Sequence, residues 1–156
     1  MVIQYNMDKN TSNAKIEKEQ KNPSKAKIEK DKPKDKDIIP STIENKIEKE
    51  IIENINEFYN SALKAEQENK YNVAVTLFFK ALAILADLYI LKKEGKIPSS
   101  HSERFRILEL KYPDIYKLLD KNFSFYQDSY RIKLNKEICE VLKNDTEQLI
   151  KLLKVF

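Results

Sequence analysis

The sequence predicts an all-α protein: an antiparallel bundle of four to five helices over residues 41–156, behind a disordered tail at 1–40. Three observations carry this. The run at 71–91 is apolar around nearly its whole circumference, isoleucines and leucines recur every three or four residues on both sides of it, and the chain holds a single glycine. Strand-and-turn architectures rely on glycine at positive-φ turns, so this composition disfavours them.

The run from Tyr71 to Leu91, YNVAVTLFFKALAILADLYIL, dictates the arrangement. At about 100° per residue, its polar members Asn72, Thr76, Lys80 and Asp87 fall within a strip about 80° wide. A surface helix shows the reverse, an apolar stripe on a polar cylinder. This segment is therefore expected to be a central helix covered by others. It is also about 20 residues long, enough to span a bilayer, but Lys80 and Asp87 would each cost roughly 2.5–3.5 kcal/mol at mid-bilayer. A core helix, with no membrane partner, is the expectation.

The other elements follow in order. Residues 1–40 carry ten Lys against seven Asp or Glu, with Pro23, Pro33 and Pro40 and the repeat AKIEK at 14–18 and 26–30. Helices this short are marginal in water and the prolines interrupt them, so a disordered, weakly basic tail is predicted. Ser41 and Glu44 have capping-box spacing. Beyond them Ile43, Ile47, Ile51, Ile55, Phe58, Ala62 and Ala65 mark one face of a helix over about 42–67. The polar connection Glu66 to Lys70 is short, which returns the central helix antiparallel to the first. Gly95 suits a left-handed cap, with Pro98 after it. Ser100 and Glu103 repeat the capping spacing and put His101 in the first turn of a short helix ending near Lys111. Pro113 can open the next helix, with Asp114 favourably placed against its dipole. Phe123, Phe125, Tyr126 and Tyr130 crowd into one further short segment. A closing helix over about 135–154 sets Ile138, Val141, Leu142, Leu149, Leu152 and Leu153 on one face.

Composition narrows the chemistry. Residues 41–156 hold 19 basic and 18 acidic side chains, so bulk charge alone gives no grip on a phosphate backbone. One cysteine, Cys139, excludes an internal disulfide, and its apolar neighbours predict an inert thiol. One histidine and one cysteine are too few for a conventional zinc site, and no cofactor is expected. The amino terminus lacks the apolar core of a secretory signal, which favours a cytoplasmic protein.

Three groups are candidate sites. His101, Arg104 and Arg106 lie at a helix start, where amides suit an anion and arginine can grip a phosphate bidentately. The alternative is that His101 packs on the long helices while the arginines pair with Glu103 or Glu109. Lys80 and Asp87 are two turns apart, too far to pair directly, so each needs another partner if buried, Arg131 or Tyr130 being within the bundle's reach. The alternative is a solvent-facing strip or ion pairs at a dimer seam. Tyr126, Tyr130 and Arg131 combine aromatic and basic groups as base-stacking sites do, or else pack the bundle.

The helix ending in YNSALKA, the run YNVAVTLFFKALAILADLYI, the loop GKIPSSHSERFRIL and the segment FYQDSYR together resemble the HEPN superfamily of prokaryotic helical bundles, over roughly residues 50–153. The likeness is greatest to small stand-alone members with a Pro-x-x-His loop, here Pro98, Ser99, Ser100 and His101. The resemblance implies a homodimeric bundle and an RNA- or nucleotide-related role, including toxin–antitoxin pairs with a nucleotidyltransferase partner protein. Catalytic members of the family are metal-independent ribonucleases with an Arg followed four to six residues later by His. No histidine follows Arg104, Arg106 or Arg131, so a non-catalytic binding module is expected. The alternatives are a helical scaffold binding only protein and a divergent ribonuclease using His101 and Arg104 from facing chains.

Overall fold

The computed structural model describes residues 41–156. The expected tail over 1–40 and the side chains of the Ser41–Glu44 capping pair lie outside the described residues. Among the described residues five helices follow one another: α1 (Ser41–Gln67), α2 (Tyr71–Glu94), α3 (His101–Lys111), α4 (Pro113–Asp128) and α5 (Lys136–Leu153). No strand occurs among the described residues.

α2 is the axis. It contacts all four other helices, and 13 of its 24 residues are buried, Phe78, Leu82, Leu85, Leu88 and Ile90 among them. It is the one helix among the described residues long and apolar enough to cross a membrane, yet 67% of its most apolar window is buried inside the bundle. The enclosure is incomplete along one line. Val73 and Lys80 are exposed and Leu77 and Ile84 half-buried, and these four share one helical face.

The turns show why the helices stop where they do. After α1 the chain turns at Asn69 with φ 58°, while the Lys70 amide donates to the Ala65 carbonyl at 2.8 Å. Asparagine tolerates this left-handed conformation without being glycine. Gly95, at φ 66°, closes α2 with its amide on the Leu91 carbonyl at 2.8 Å. Ser100 caps α3 by accepting from the Glu103 amide at 3.2 Å. The Glu103 carboxylate accepts from the amide and hydroxyl of Ser99 rather than from Ser100, so the box is closed one residue early.

Three expectations need correction. Ile43 does not join the core. Glu48 already reaches Lys92, two residues from the end of α2, so the first turns of α1 run past the helix they would pack on. The aromatics from Phe123 to Tyr126 belong to α4 itself, because neither glycine nor proline interrupts the chain after Pro113. On α5, Val141 and Leu152 are exposed, and the buried face is rotated towards Cys139, Thr146 and Ile150. Thr146 can be buried because its hydroxyl donates to the Leu142 carbonyl at 2.7 Å.

The C-terminal end of α2 is tied down by charge. Glu94 accepts from Lys111, with which it forms a salt bridge, and from the Tyr112 hydroxyl. The Lys111 bond, then the Tyr112 bond, hold the Glu94 carboxyl below its ordinary 4.5. Burial, with the same carboxylate beside it, pushes the Tyr112 phenol up to about 12. A depressed carboxyl stabilises the fold fully above the unfolded value and loses that stabilisation as pH falls through the folded one. Urea unfolding at pH 7 and at pH 3 should show a drop in stability to which Glu94 contributes about 1 kcal/mol or less, as expected for a solvent-screened pair. Glu94→Gln should reduce that drop, and equal drops in the two proteins would contradict the assignment.

Candidate functional site

The polar strip of α2 splits into three unrelated arrangements. Asn72 fixes the α4–α5 turn: its amide nitrogen donates to the carbonyls of Ser129 and Ile132 at 2.7 and 2.6 Å, and its oxygen accepts from the Leu134 amide at 3.0 Å. Thr76 donates to the Asn72 carbonyl and sits 3.1 Å from the Ser129 hydroxyl. Lys80 turns outward, its ammonium 5.3 Å from the centre of the Phe58 ring, so its aliphatic stem covers apolar surface while the charge stays wet. Asp87 alone is buried.

The partner of Asp87 is Arg104, not Arg131 or Tyr130. The guanidinium is bidentate, with Nε to Oδ1 and Nη2 to Oδ2 both at 2.6 Å, and both residues are buried. Its Nη1 lies 2.7 Å from Nδ1 of His101. Guanidinium has only donors, so Nδ1 accepts, and the ring in this contact is neutral with its proton on Nε2. Three of the five guanidinium N–H groups are thus spent within the fold. Neither Glu103 nor Glu109 pairs with Arg104, while Arg106 is exposed to solvent. An aspartate on a nearly all-apolar helix was the available sequence signal, but only the α2–α3 crossing brings Arg104 to it.

The remaining candidates gather at the opposite end of α2, about 22 Å away by helical rise from Asn72 to Asp87. Tyr126 is stacked on Phe79 with ring centres 4.6 Å apart at 21°, so one of its faces is already occupied. Tyr130 stands edge-on to Tyr126 at 5.3 Å and donates to its hydroxyl at 2.7 Å, yet is 69% exposed. Around it a groove of about 640 Å³ is lined by Lys70, Tyr71, Asn72, Arg131, Ile132 and Lys133 among others. Lys70 is paired with Glu68 at 2.5 Å, whereas Arg131 and Lys133 join no ion pair among the described residues. The groove also receives the start of α2, whose first turn has no acidic residue and no side-chain cap. Its amides therefore add partial positive charge. Lys70 and Lys133 were not singled out from the sequence, because nothing local distinguishes them from the many other lysines.

The two ends thus differ in kind. At the His101 end Asp87, Arg104 and His101 bond one another, while at the Tyr130 end cations and an aromatic ring face an open groove. No three His, Cys, Asp or Glu side chains converge among the described residues. Cys139 is buried, and burial, reinforced by the Glu66 charge, pushes its thiol up to about 11.

Removing one member of the buried pair should be expensive. Asp87→Ala leaves the Arg104 charge uncompensated and is expected to cost roughly 3–5 kcal/mol in urea unfolding, while Asp87→Leu combined with Arg104→Met should cost far less. An Asp87→Ala cost below about 1 kcal/mol would mean that the pair is solvated in solution.

In comparisons with protein-family models, curated proteins and solved structures, the chain matches none.

Proposed function

We propose that the bundle is a non-catalytic, HEPN-like binding module that takes RNA or a nucleotide in the groove between the start of α2 and the α4–α5 turn. The observation that carries this reading is the placing of Arg131 and Lys133, outside any described ion pair, beside the exposed Tyr130 ring in one concave surface. Cations supply the attraction for phosphate, and arginine adds directional hydrogen bonds. With 19 basic against 18 acidic side chains over residues 41–156, the local cluster is the bundle's source of affinity. The family likeness adds a second copy of the chain, and a nucleotidyltransferase in a toxin–antitoxin arrangement, as the partners to look for.

The non-catalytic part of the reading draws on Arg104. A ribonuclease of the HEPN type needs its arginine and histidine directed at a phosphate, whereas here the guanidinium is held by Asp87 and by the only histidine. Scaffold function through protein contacts has a separate basis, an apolar cleft of about 440 Å³ between α4 and α5 with Ile115, Leu118, Leu149 and Leu152 in its walls.

The test is a titration of labelled single-stranded RNA and a nucleotide panel at about 50 and about 200 mM salt. Each cation that neutralises a phosphate adds about 0.7 to the slope of log affinity against log salt on a single strand. Arg131→Ala together with Lys133→Ala should lower that slope by about 1.4 and weaken binding, while His101→Ala should leave both unchanged. Absence of any binding at the lower salt would overturn the nucleic-acid reading.

A further inference from the structure

Beside the basic groove lies a second, smaller hollow of about 260 Å³, lined by Asn72, Val73, Thr76, Leu77, Ser129 and Tyr130. The two concavities share Asn72, Val73, Ser129 and Tyr130, so they adjoin one another at Tyr130. Their chemistry differs. The groove has Lys70, Arg131 and Lys133, and the hollow has no charged residue in its wall.

Resting on the nucleic-acid reading above, we propose that the hollow is a base subsite and that the ligand is single-stranded, with an unpaired base against Tyr130, Val73 and Leu77 and its phosphate among the cations. The ring of Tyr130 is held in advance. Its hydroxyl is bonded to that of Tyr126, which is in turn stacked on the buried Phe79. An exposed aromatic that is already oriented loses little conformational freedom on stacking a base. Val73, 49% exposed, and the half-buried Leu77 continue the apolar wall along α2.

The polar atoms of the hollow are occupied. Asn72 makes three bonds to the α4–α5 turn, Thr76 bonds the Asn72 carbonyl, and Ser129 donates to the Tyr126 carbonyl at 2.6 Å. With those groups engaged, the wall offers a base apolar contact and a ring face rather than a set of donors and acceptors to read its edge. Binding is therefore tolerant of base identity. A duplex keeps its bases paired and stacked, so it can reach the cations but not the hollow.

The experiment compares a fluorescein-labelled RNA single strand with the duplex of the same sequence, using the full chain as wild type, Tyr130→Ala, Tyr130→Phe and Arg131→Ala. Tyr130→Ala should lower single-strand affinity about 5- to 150-fold, the range for loss of one stacked base, and leave duplex affinity unchanged. Tyr130→Phe should retain most of the affinity, and Arg131→Ala should weaken both forms. Exchanging a pyrimidine strand for a purine strand should change wild-type affinity only a few-fold. Equal affinity for both forms with no effect of Tyr130→Ala would overturn the base subsite, while leaving a cation-dependent groove intact. Failure of every form to bind would remove the groove as well, so the two failures are distinguishable. Circular dichroism melting of Tyr130→Ala checks that the surface substitution leaves the fold in place.

Discussion

The constraint on which this structure depends is the desolvation of α2. A helix that is apolar on nearly every side is unfavourable in water at about 25 cal/mol per Å² of exposed apolar surface, and only neighbours on several flanks can cover it. The other four helices are arranged around it to that end, with α1 antiparallel beside it and α4 and α5 packed on further flanks. Each polar residue of α2 must then be accounted for individually. Asn72 and Thr76 bind a turn, Lys80 reaches water across Phe58, and Asp87 receives an arginine.

The Asp87–Arg104 pair shows how such an account produces specificity of arrangement. A buried ion pair adds little net stability, because the cost of removing both charges from water offsets most of their attraction. What it does provide is geometry. Bidentate bonding at 2.6 Å fastens α3 to α2 at this crossing, and His101 extends the same array to the surface. His101, one of the candidates for phosphate chemistry, is thereby engaged by Arg104 at the start of α3.

The two ends of the central helix consequently carry different roles. Its C-terminal end is closed by an ion pair and hydrogen bonds to carboxylates, Glu94 with Lys111 and Tyr112, and Glu103 with the Ser99 amide and hydroxyl. At its N-terminal end Asn72 draws the α4–α5 turn in, and the side chains of that turn, Tyr130, Arg131, Ile132 and Lys133, are left facing outward. Asn72 is thus a positioning residue for the groove. Among the described residues, Arg131 and Lys133 line that groove without joining an ion pair.

Helix content, the central place of Tyr71–Glu94, the stop at Gly95, the cap at Ser100 and the opening of α4 at Pro113 were all legible in the sequence. Each depends on residues within a few positions of one another, where periodicity and backbone preference act. Tertiary structure alone decided that Asp87 meets Arg104, that Val141 and Leu152 stay exposed while Thr146 is buried, and that Lys70, Arg131 and Lys133 share one groove. Those outcomes depend on how neighbouring helices are rotated and displaced relative to one another. A shift of one residue turns a helical side chain by about 100°, and no local pattern determines which rotation brings distant charges together.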